Sequence, residues 1–465
     1  MRKFYNRKNE LAMLDKHFRI AKNNIFTEVI IGRRRIGKTE LIKEHLEKKP
    51  ALYFYVTKKS SQITLNDFTA TLKERFPFVP SIINNWEDFF NLIFELSGKQ
   101  RMVVVFDEFQ NFNSIDKSVF SILQKKIDEY KDKSKMQLIF IGSIQTLMEK
   151  IFMRKEPLYG RVDNFIYLKP FSFGEVAVIC NDHKVKNIES VFNLFSIFDG
   201  VAKYYDFLEK FNLFNKPLEI ILKELFISRD TPLYKEGKNL LIEEFGQDYE
   251  RYFDILFCLS IGKTKTSEIA SVMQLPVTTV SKYLSVLVKK YKLAEKRNLH
   301  NKKNSKDNRY YLRDIFLRFW FRYVYKNYTK IEIGSYQPIL SDFKKTFDSH
   351  QGLIFEELAR KLLYKKMLEE KILPCQAMEI SNYWDKKYEF DIYGQENKNF
   401  IIGEIKLNSK AVDKKLIYKI EEFADFRNKN AIKVIITFDK ITNLKMKKLL
   451  KEKNFYIFDL MQLNS

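Results

Sequence analysis

The stretch Thr27–Thr39, TEVIIGRRRIGKT, decides the fold of the first part of this chain. Its first half, Thr27–Ile31, is mostly apolar and β-branched, which predicts a buried strand. A loop with glycines at Gly32 and Gly37 comes next, and a helical pattern begins at about Lys38. Glycines let the backbone wrap around phosphates, and the amino end of a helix favours negative charge. The stretch therefore predicts a strand, a phosphate-binding loop and a helix in succession.

Each position of this GxxxxGKT loop has a predicted part in holding ATP and Mg²⁺. The predicted nucleotide-binding residues are Gly32, Arg33, Arg34, Arg35, Ile36, Gly37, Lys38 and Thr39. Lys38 would neutralise charge on the β- and γ-phosphates, and the Thr39 hydroxyl would bind Mg²⁺. The three arginines fill variable positions, where the backbone matters more than side chains that could be solvated. The alternative is a chance glycine turn between a strand and a helix.

A second apolar strand ends in two acids. Met102–Phe106 (MVVVF) runs directly into Asp107 and Glu108. Asp107 would hold Mg²⁺ through water, and Glu108 would be the general base that polarises the attacking water. A surface turn with two solvated acids is the alternative. The pair favours Mg-dependent ATP hydrolysis over nucleotide storage, so the chain is predicted to be an ATPase.

Two further residues are candidates for the same reaction. Ser143 follows the strand Gln137–Ile141 and could orient the lytic water or contact the γ-phosphate. A serine that only caps the strand is equally consistent. Arg161 could stabilise transition-state charge, in cis or from a neighbouring subunit of a homo-oligomer. A structural arginine paired with a nearby acid is the alternative.

Short apolar strands alternate with helical patterns over the first ~210 residues. Besides the strands already named, Ala51–Val56 and Asn164–Leu168 fit this pattern, and Trp86–Leu96 and Ser118–Tyr130 read as helices between them. Strands separated by helices predict a parallel sheet covered on both faces. Residues from about 175 to 247 lose the strand pattern and are predicted to be helical.

The middle of the chain, about 249–330, predicts a winged helix-turn-helix. The second helix of the turn would begin with polar side chains able to reach bases or phosphates: Thr278, Thr279, Ser281 and Lys282. From Lys289 to Arg313 there are ten Lys and Arg against two acids. Such a basic loop is typical of a wing whose cations, here Lys302, Lys303 and Lys306, contact DNA phosphates. A contact module between domains, with a solvated loop, is the alternative.

The C-terminal region returns to an α/β pattern and carries a third group of candidates. Asp391 lies in the strand YEFDIYG, and Glu404 and Lys406 project from one face of the next strand, NFIIGEIKL. Asp391 and Glu404 could share Mg²⁺, and Lys406 could orient water or stabilise phosphorane charge. Glu356 lies on the helix that opens the region. These residue types suit metal-dependent phosphodiester hydrolysis.

Composition and charge set broad limits. The chain has 465 residues with a formal net charge of +23, which favours a polyanionic partner, nucleic acid or an anionic membrane surface. Its three cysteines form no CxxC pair, and no HExxH or Cys/His cluster occurs. The N-terminus lacks a signal-peptide core, and no apolar run approaches the ~20 residues that span a bilayer. We therefore expect a cytoplasmic protein without a membrane partner.

The N-terminal half resembles a known family. The FYNRKNEL box at residues 4–11 precedes the phosphate loop, and FDEFQ, LYGR and LKPFSFGEV follow it. Together these motifs resemble the archaeal-type ATPase family, within the AAA-like and STAND P-loop ATPases. The resemblance implies that Ser143 is the sensor position. It also places Asp199-Gly200-Val201-Ala202 where the family usually has Gly-Gly-x-Pro.

The C-terminal motifs resemble a second family. GLIFEE, WDKKYEFDIYG and IIGEIKLN are similar to the PD-(D/E)xK nuclease fold, and to the nuclease-like tail of one branch of the archaeal-type ATPases. The resemblance implies that Glu356, through the family's FE pairing, is chosen over Glu357. A salt-bridge cluster in a domain without catalysis is the alternative.

The predicted fold class is α/β, with a P-loop parallel sheet, a helical lid, a winged helix-turn-helix and a C-terminal restriction-endonuclease-like domain. The predicted ranges are 1–170, 171–248, 249–340 and 341–465. The predicted function is ATP binding and hydrolysis on or near DNA. The rivals are a nucleotide-switched DNA-binding regulator without turnover and an ATP-controlled, metal-dependent nuclease of a defence or mobile-element system.

Overall fold

A computed structural model describes residues 4–297, 308–375, 377, 379–396, 399–427 and 430–464. The chain divides into two structural units, Met1–Ile179 with Gly200–Asn212 and Cys180–Asp199 with Leu213–Ser465. The predicted lid, 171–248, is therefore shared between the two units rather than standing alone. The predicted division into four functional domains stays a prediction.

The strands fall into three sheets. They are β1 (Ile25–Ile31), β2 (Ala51–Tyr55), β3 (Met102–Asp107), β4 (Met136–Gly142), β5 (Asn164–Tyr167), β6 (Ala294–Arg297), β7 (Arg309–Leu312), β8 (Ser381–Trp384), β9 (Glu389–Glu396), β10 (Asn399–Lys406), β11 (Ala431–Thr437) and β12 (Phe455–Asp459).

The helices connect and cover these strands. They are α1 (Lys8–Ile20), α2 (Lys38–Leu46), α3 (Ser61–Arg75), α4 (Trp86–Lys99), α5 (Phe112–Ile115), α6 (Ser118–Tyr130), α7 (Gln145–Ile151), α8 (Phe173–Asp182), α9 (Ile188–Phe198), α10 (Ala202–Lys210), α11 (Leu218–Leu225), α12 (Glu236–Phe245), α13 (Tyr249–Ser260), α14 (Thr266–Met273), α15 (Val277–Lys289), α16 (Ile315–Tyr323), α17 (Tyr328–Glu332), α18 (Gln337–Glu370), α19 (Lys414–Phe426), α20 (Leu444–Glu452) and α21 (Leu460–Asn464). Within the ranges that the structure describes, none of them combines the length and apolar character needed to cross a bilayer.

The first sheet is parallel throughout, as predicted. Its strand order is β2-β3-β4-β1-β5. Because helices cover both faces, the inner strands are buried along their whole length, which explains why β3 and β4 are almost continuously apolar. An aromatic cluster packs under one face and includes Phe54, Phe106, Phe109 and Phe140.

This topology brings the phosphate loop, Asp107 and Ser143 to one edge of the sheet. In a parallel sheet all carboxyl ends lie at the same edge, where ligands of open α/β sheets bind. The phosphate loop follows β1, Asp107 ends β3, and Ser143 follows β4. Since β4 lies between β1 and β3, Ser143 lies between the loop and the two acids.

The middle segment of the second unit forms three helices and a small hairpin. Helices α13, α14 and α15 are followed by β6 and β7, which pair antiparallel. The backbone of Lys265, just before α14, forms an isolated antiparallel β-bridge with that of Arg309 in β7. The aromatic run that follows is the buried helix α16, in which Trp320 Nε1 donates to the carbonyl oxygens of Leu233 and Tyr234 at 3.1 and 3.0 Å.

The last sheet is mixed, with strand order β12-β11-β10-β9-β8. Strands β8, β9 and β10 are antiparallel neighbours, and β10, β11 and β12 are parallel. The helix before it, α18, on which the sequence places Glu356, is 34 residues long. Its buried positions include Ile339, Phe343, Phe347, Ile354 and Leu358, a stripe at helical spacing that continues through Gly352. The predicted boundary near 340 falls inside this helix.

Candidate functional site

The phosphate loop is closed around the side chain of Lys38. The Lys38 ammonium donates to the carbonyl oxygens of Gly32 and Arg33, at 2.6 and 2.9 Å. Gly37, the residue before α2, has φ 94°, a conformation that side chains other than glycine's rarely allow. A Cβ at Gly32 would lie 2.7 Å from the carbonyl oxygen of Leu168. The two glycines are therefore required by the backbone path of the loop.

Asp107 is buried at the carboxyl end of β3 and held by three donors. Its Oδ2 accepts from the Thr39 hydroxyl at 3.3 Å and from the Tyr53 hydroxyl, while Oδ1 accepts from the Glu108 amide at 2.8 Å. Burial raises the pKa of Asp107, and the Glu108 carboxylate adds to the rise. Sequence reasoning missed Tyr53, which lies on the neighbouring strand and shows no motif.

Glu108 is fixed by hydrogen bonds on one oxygen. Its Oε2 accepts from the Ser143 hydroxyl at 2.8 Å and from the Gln110 amide, which also lies 3.5 Å from Ser143 Oγ. The Glu108 backbone is left-handed, at φ 55° and ψ 40°, which turns its side chain out of the strand path. The structure therefore brings together Glu108 and Ser143, which the sequence proposes for the same reaction, and adds Gln110 of the FDEFQ motif.

One arginine of the loop contacts this acid. Arg34 Nη2 lies 3.7 Å from Glu108 Oε2. Arg34 could not be separated from Arg33 and Arg35 by sequence, because all three fill variable positions of the loop. The contact connects the loop to the predicted base without any intervening residue.

The residues present fit a magnesium nucleotide. A lysine ammonium and the amino end of α2 supply positive charge for phosphates, and Thr39 and Asp107 supply a hydroxyl and a carboxylate 3.3 Å apart. Hydroxyl and carboxylate oxygens are ligands that Mg²⁺ accepts. When bound there, Mg²⁺ would neutralise charge on the phosphate oxygens.

Arg161 lies at the opposite edge of the sheet. It comes just before β5, whose first residue, Asn164, is level with Glu28 of β1. The phosphate loop follows the other end of β1, roughly 13 Å further along the strand. The Arg161 guanidinium also donates two hydrogen bonds to Asp128, at 3.2 and 2.9 Å. The prediction that Arg161 acts in cis is therefore corrected, and its action on a neighbouring subunit stays a prediction.

The C-terminal candidates form one cluster. The register that pairs Gly403 with Ile392 brings Asp391 opposite Glu404 on the antiparallel strands β9 and β10. The Lys406 ammonium lies 3.3 Å from Asp391 Oδ2 and 2.6 Å from Glu404 Oε2. Burial and the Asp391 charge raise the pKa of Glu404 to about 7. Although burial opposes it, the two carboxylates raise the pKa of Lys406.

Two consecutive glutamates of α18 have different surroundings. Burial and the nearby Asp391 charge raise the pKa of Glu356 to about 7. One turn further along α18, Arg360 donates to the carbonyl oxygen of Asp391 at 3.0 Å, so this part of the helix lies against β9. Glu357 instead accepts from Arg297 at 3.1 Å and from Arg318 at 3.3 Å. Although burial acts against it, Arg318 and Arg297 lower the pKa of Glu357. Glu357 is thus paired with two arginines, and the choice of Glu356 for the cluster stays a prediction.

The donor set of this cluster suits Mg²⁺ only with help from other ligands. Among the residues that the structure describes, no three His, Cys, Asp or Glu side chains are grouped closely enough to hold a metal ion. Asp391 and Glu404 offer two carboxylates, and Mg²⁺ commonly completes such a site with waters and substrate phosphates. Two adjacent carboxylates therefore fit Mg²⁺ in the presence of substrate.

Comparison with known proteins agrees with the loop geometry. Residues 4–204 match the family model described as an ATPase domain predominantly from Archaea. This segment is an archaeal-type ATPase domain. Residues 320–417 match a second model, DUF234, described as "Archaea bacterial proteins of unknown function". The predicted resemblance of the N-terminal half to the archaeal-type ATPase family is thus confirmed.

The similarity to other proteins extends beyond the ATPase domain. An uncharacterized protein of Methanocaldococcus jannaschii is 28% identical over 421 residues, 90% of each chain. An uncharacterized ATP-binding protein of the same organism is 48% identical over 46 residues, 10% of this chain and 75% of that protein. A Walker-type ATPase of Pyrococcus abyssi has the same fold, with a TM-score of 0.52 and 17% identity over 69% of this chain and 96% of that one.

The opening box of the ATPase domain has a structural role that the sequence did not assign. Arg7 donates to the carbonyl oxygen of Lys169 at 2.5 Å and to that of Ile36, in the phosphate loop, at 3.4 Å. Its guanidinium also lies 4.8 Å from the centre of the Phe171 ring. Arg7 therefore connects the start of α1 to the phosphate loop and to the LKPF segment.

A further residue of the ATPase domain carries backbone strain. Asp199 has φ 53° and ψ −150°, a conformation almost restricted to glycine, and it lies where the resembling family usually has glycine. Asp199→Gly is expected to raise the free energy of unfolding by about 1 kcal/mol, because relief of strain exceeds the added entropy of the unfolded chain. Urea unfolding measures the change.

Asn212→Gly is the matched control for this prediction. Asn212 also has φ 53°, but asparagine tolerates the left-handed region. Its replacement should change the free energy of unfolding by only a few tenths of a kcal/mol. If Asp199→Gly lowered stability instead, contacts of the Asp199 side chain would outweigh the strain.

Proposed function

We propose that this chain couples ATP hydrolysis to an action on DNA. The ATPase domain supplies the nucleotide chemistry, and α13, α14, α15 and the β6–β7 hairpin supply the DNA contact as a winged helix. Helix α14 and helix α15 are joined by a turn at Leu275 and Pro276, which is the spacing of a helix-turn-helix. The observation that carries the proposal is the polar, exposed start of α15.

Helix α15 has one buried and one exposed face. Val280, Leu284 and Leu287 are buried, whereas Thr278 and Lys282 are exposed. Ser281 is exposed as well and Thr279 is half-buried, so the start of α15 offers hydroxyls and an ammonium to solvent. Side chains in this position reach base edges and phosphates when such a helix enters the major groove.

The β6–β7 hairpin offers fewer cations for DNA contact than its sequence charge suggested. Arg309 pairs with Glu389 at 2.7 Å, and Arg297 pairs with Glu357 at 3.1 Å and contacts Asn382 at 3.1 Å. These two arginines are therefore used inside the second unit and are not free for DNA phosphates. The predicted phosphate contacts of the wing, Lys302, Lys303 and Lys306, lie outside the described residues.

We predict that α15 carries the DNA affinity. In the full chain, Thr278→Ala combined with Lys282→Glu should weaken duplex DNA binding at least about tenfold, because a base or phosphate contact is typically worth 1–3 kcal/mol. The slope of log affinity against log salt should also fall by about one, since one phosphate contact is lost. Fluorescence anisotropy across a salt series measures both.

Lys345→Glu is the control, because it makes the same change of charge on an exposed position of α18. It should leave DNA affinity within about twofold at physiological salt, where distant surface charges are screened. Equal losses in the two proteins would mean that net charge, and not α15, determines binding. In that case the module is a contact between domains or with another protein.

The decisive experiment measures ATP turnover with and without duplex DNA and then recovers the DNA to look for cuts. Turnover that rises with DNA supports the proposal. Binding of ATP without turnover would favour the rival reading, a nucleotide-switched regulator. An oligomer in solution would make it possible for Arg161 to act on a neighbouring subunit, and light scattering tests that.

A second candidate function is metal-dependent cleavage of nucleic acid by the C-terminal cluster. It is favoured by the convergence of Asp391, Glu404 and Lys406 with Glu356 at hand. The mixed sheet, with α18 before it and α19 between β10 and β11, is the architecture expected of the PD-(D/E)xK fold that the motifs resemble. When bound, Mg²⁺ would activate water and neutralise phosphate charge. Lys406 would hold the phosphate or orient the water.

A further inference from the structure

A cavity of about 290 Å³ lies between the β6–β7 hairpin, α18 and the segment before β8. Four cationic side chains line it: Arg297, Arg313, Arg360 and Lys361. The acids on its wall are Glu295, Glu357 and Glu379. It lies within the second unit, and neither the ATPase reaction nor the proposed acid cluster makes use of it.

Two of the three acids are already paired. Glu295 accepts from Arg297 at 3.0 Å, and Glu357 accepts from Arg297 and from Arg318. In the part of the chain that the structure describes, no acid lies within ion-pair distance of Arg313 or Lys361. The wall therefore carries a surplus of positive charge.

Arg360 is the most informative of the four cations. Its side chain is 7% exposed, yet its guanidinium, which has five N–H donors, gives one hydrogen bond within the described part of the chain, to the carbonyl oxygen of Asp391 at 3.0 Å. A buried cation without its own carboxylate is costly, and an anion in the cavity would offset that cost.

We propose that this cavity binds the terminal phosphate of a small phosphorylated ligand. Planar guanidinium groups match phosphate oxygens in pairs, and two arginines with a lysine around one space provide such donors. The volume is at the lower end of small-molecule pockets, which start at about 300 Å³, so the ligand is no larger than a nucleotide. Phosphate binding in this cavity requires neither the proposed DNA binding nor the proposed nuclease activity.

The test uses the full chain with Lys38→Ala, which is expected to prevent nucleotide binding at the phosphate loop of the ATPase domain. Isothermal titration with inorganic phosphate, pyrophosphate and AMP is compared with a dinucleotide that has no terminal phosphate. Sodium chloride at equal ionic strength serves as the blank. We expect pyrophosphate and AMP to bind with dissociation constants of about 1 mM or below, which titration resolves.

Variants locate the binding. Arg313→Ala combined with Lys361→Ala should weaken pyrophosphate binding at least tenfold. Arg360→Lys should also weaken it, because an ammonium lacks the paired, coplanar N–H donors of a guanidinium. Lys365→Ala is the control, since Lys365 is exposed one turn further along α18 and pairs with Glu369 at 3.8 Å. Thermal unfolding checks that each variant folds.

Three results would overturn the proposal. The first is no binding of any phosphate probe by the Lys38→Ala protein. The second is binding that Arg313→Ala with Lys361→Ala leaves unchanged. The third is equal binding of the dinucleotide without a terminal phosphate, which would assign the cavity to the backbone of a nucleic acid.

Discussion

The Glu108→Gln variant is expected to bind ATP with close to wild-type affinity and to hydrolyse it about 10²–10⁴-fold more slowly. In the proposed reaction, a water bonds to the γ-phosphorus, the bond from that phosphorus to the ADP oxygen breaks, and the water's proton passes to Glu108. Glutamine has nearly the same shape, so it can still accept from the Ser143 hydroxyl that holds Glu108 at 2.8 Å. Its amide cannot take the proton.

Two comparisons make this result specific. Lys38→Ala should instead lose ATP binding, because the loop loses the ammonium that now bonds to the Gly32 and Arg33 carbonyl oxygens. Glu129→Gln neutralises an acid on α6 that pairs with Lys126, and it should leave turnover unchanged. Phosphate release and binding of labelled ATP are measured for all three. Wild-type turnover in Glu108→Gln would remove Glu108 from the role of base.

The second large effect is expected in the C-terminal cluster. If it cleaves nucleic acid, Asp391→Asn and Lys406→Met should each reduce Mg²⁺- or Mn²⁺-dependent cutting by at least about 10²-fold, because stabilisation of charge by the metal is worth several kcal/mol. Chelator should stop cutting by the unmodified chain. ATP turnover should persist in both variants, since the phosphate loop belongs to the other structural unit.

Lys445→Met and Glu452→Gln are the controls for this pair. Both residues are exposed on α20, and their replacement removes one charge of each sign. Cutting that survives in Asp391→Asn would come from a contaminating nuclease or from another site. If no metal supports cutting by the unmodified chain, the cluster is better explained as a structural ion-pair group or a binding surface.

The sheet of the ATPase domain could be predicted from sequence because its strands are buried on both faces. Apolar runs such as Met102–Phe106 stand out against helical patterns, and the observed β3 differs by one residue. The loop was predictable for a different reason, since its glycines and its lysine have few alternatives at that spacing. Local chemistry therefore determined both features.

Contacts between distant residues could not be predicted in the same way. Tyr53 reaches Asp107, and Gln110 reaches Ser143, only because the strand order places β2, β3 and β4 side by side. The position of Arg161 also depends on topology, because a residue before a parallel strand lies at the other edge from one after it. Charge counting likewise cannot show that Arg309 of the hairpin pairs with Glu389.

The length of α18 has a mechanical consequence. The helix is about 50 Å long, since each residue adds 1.5 Å, and a continuous helix is stiff along its axis. His350 and Gln351 fasten it to α9, by contacts to the Ser196 carbonyl oxygen at 2.9 Å and to Asn193 at 2.7 Å. Glu356 and Arg360 lie on the same helix, within three turns after His350. A sliding of α9 would therefore carry Glu356 and Arg360 together, by the same distance and in the same direction, relative to the strands that hold Asp391 and Glu404.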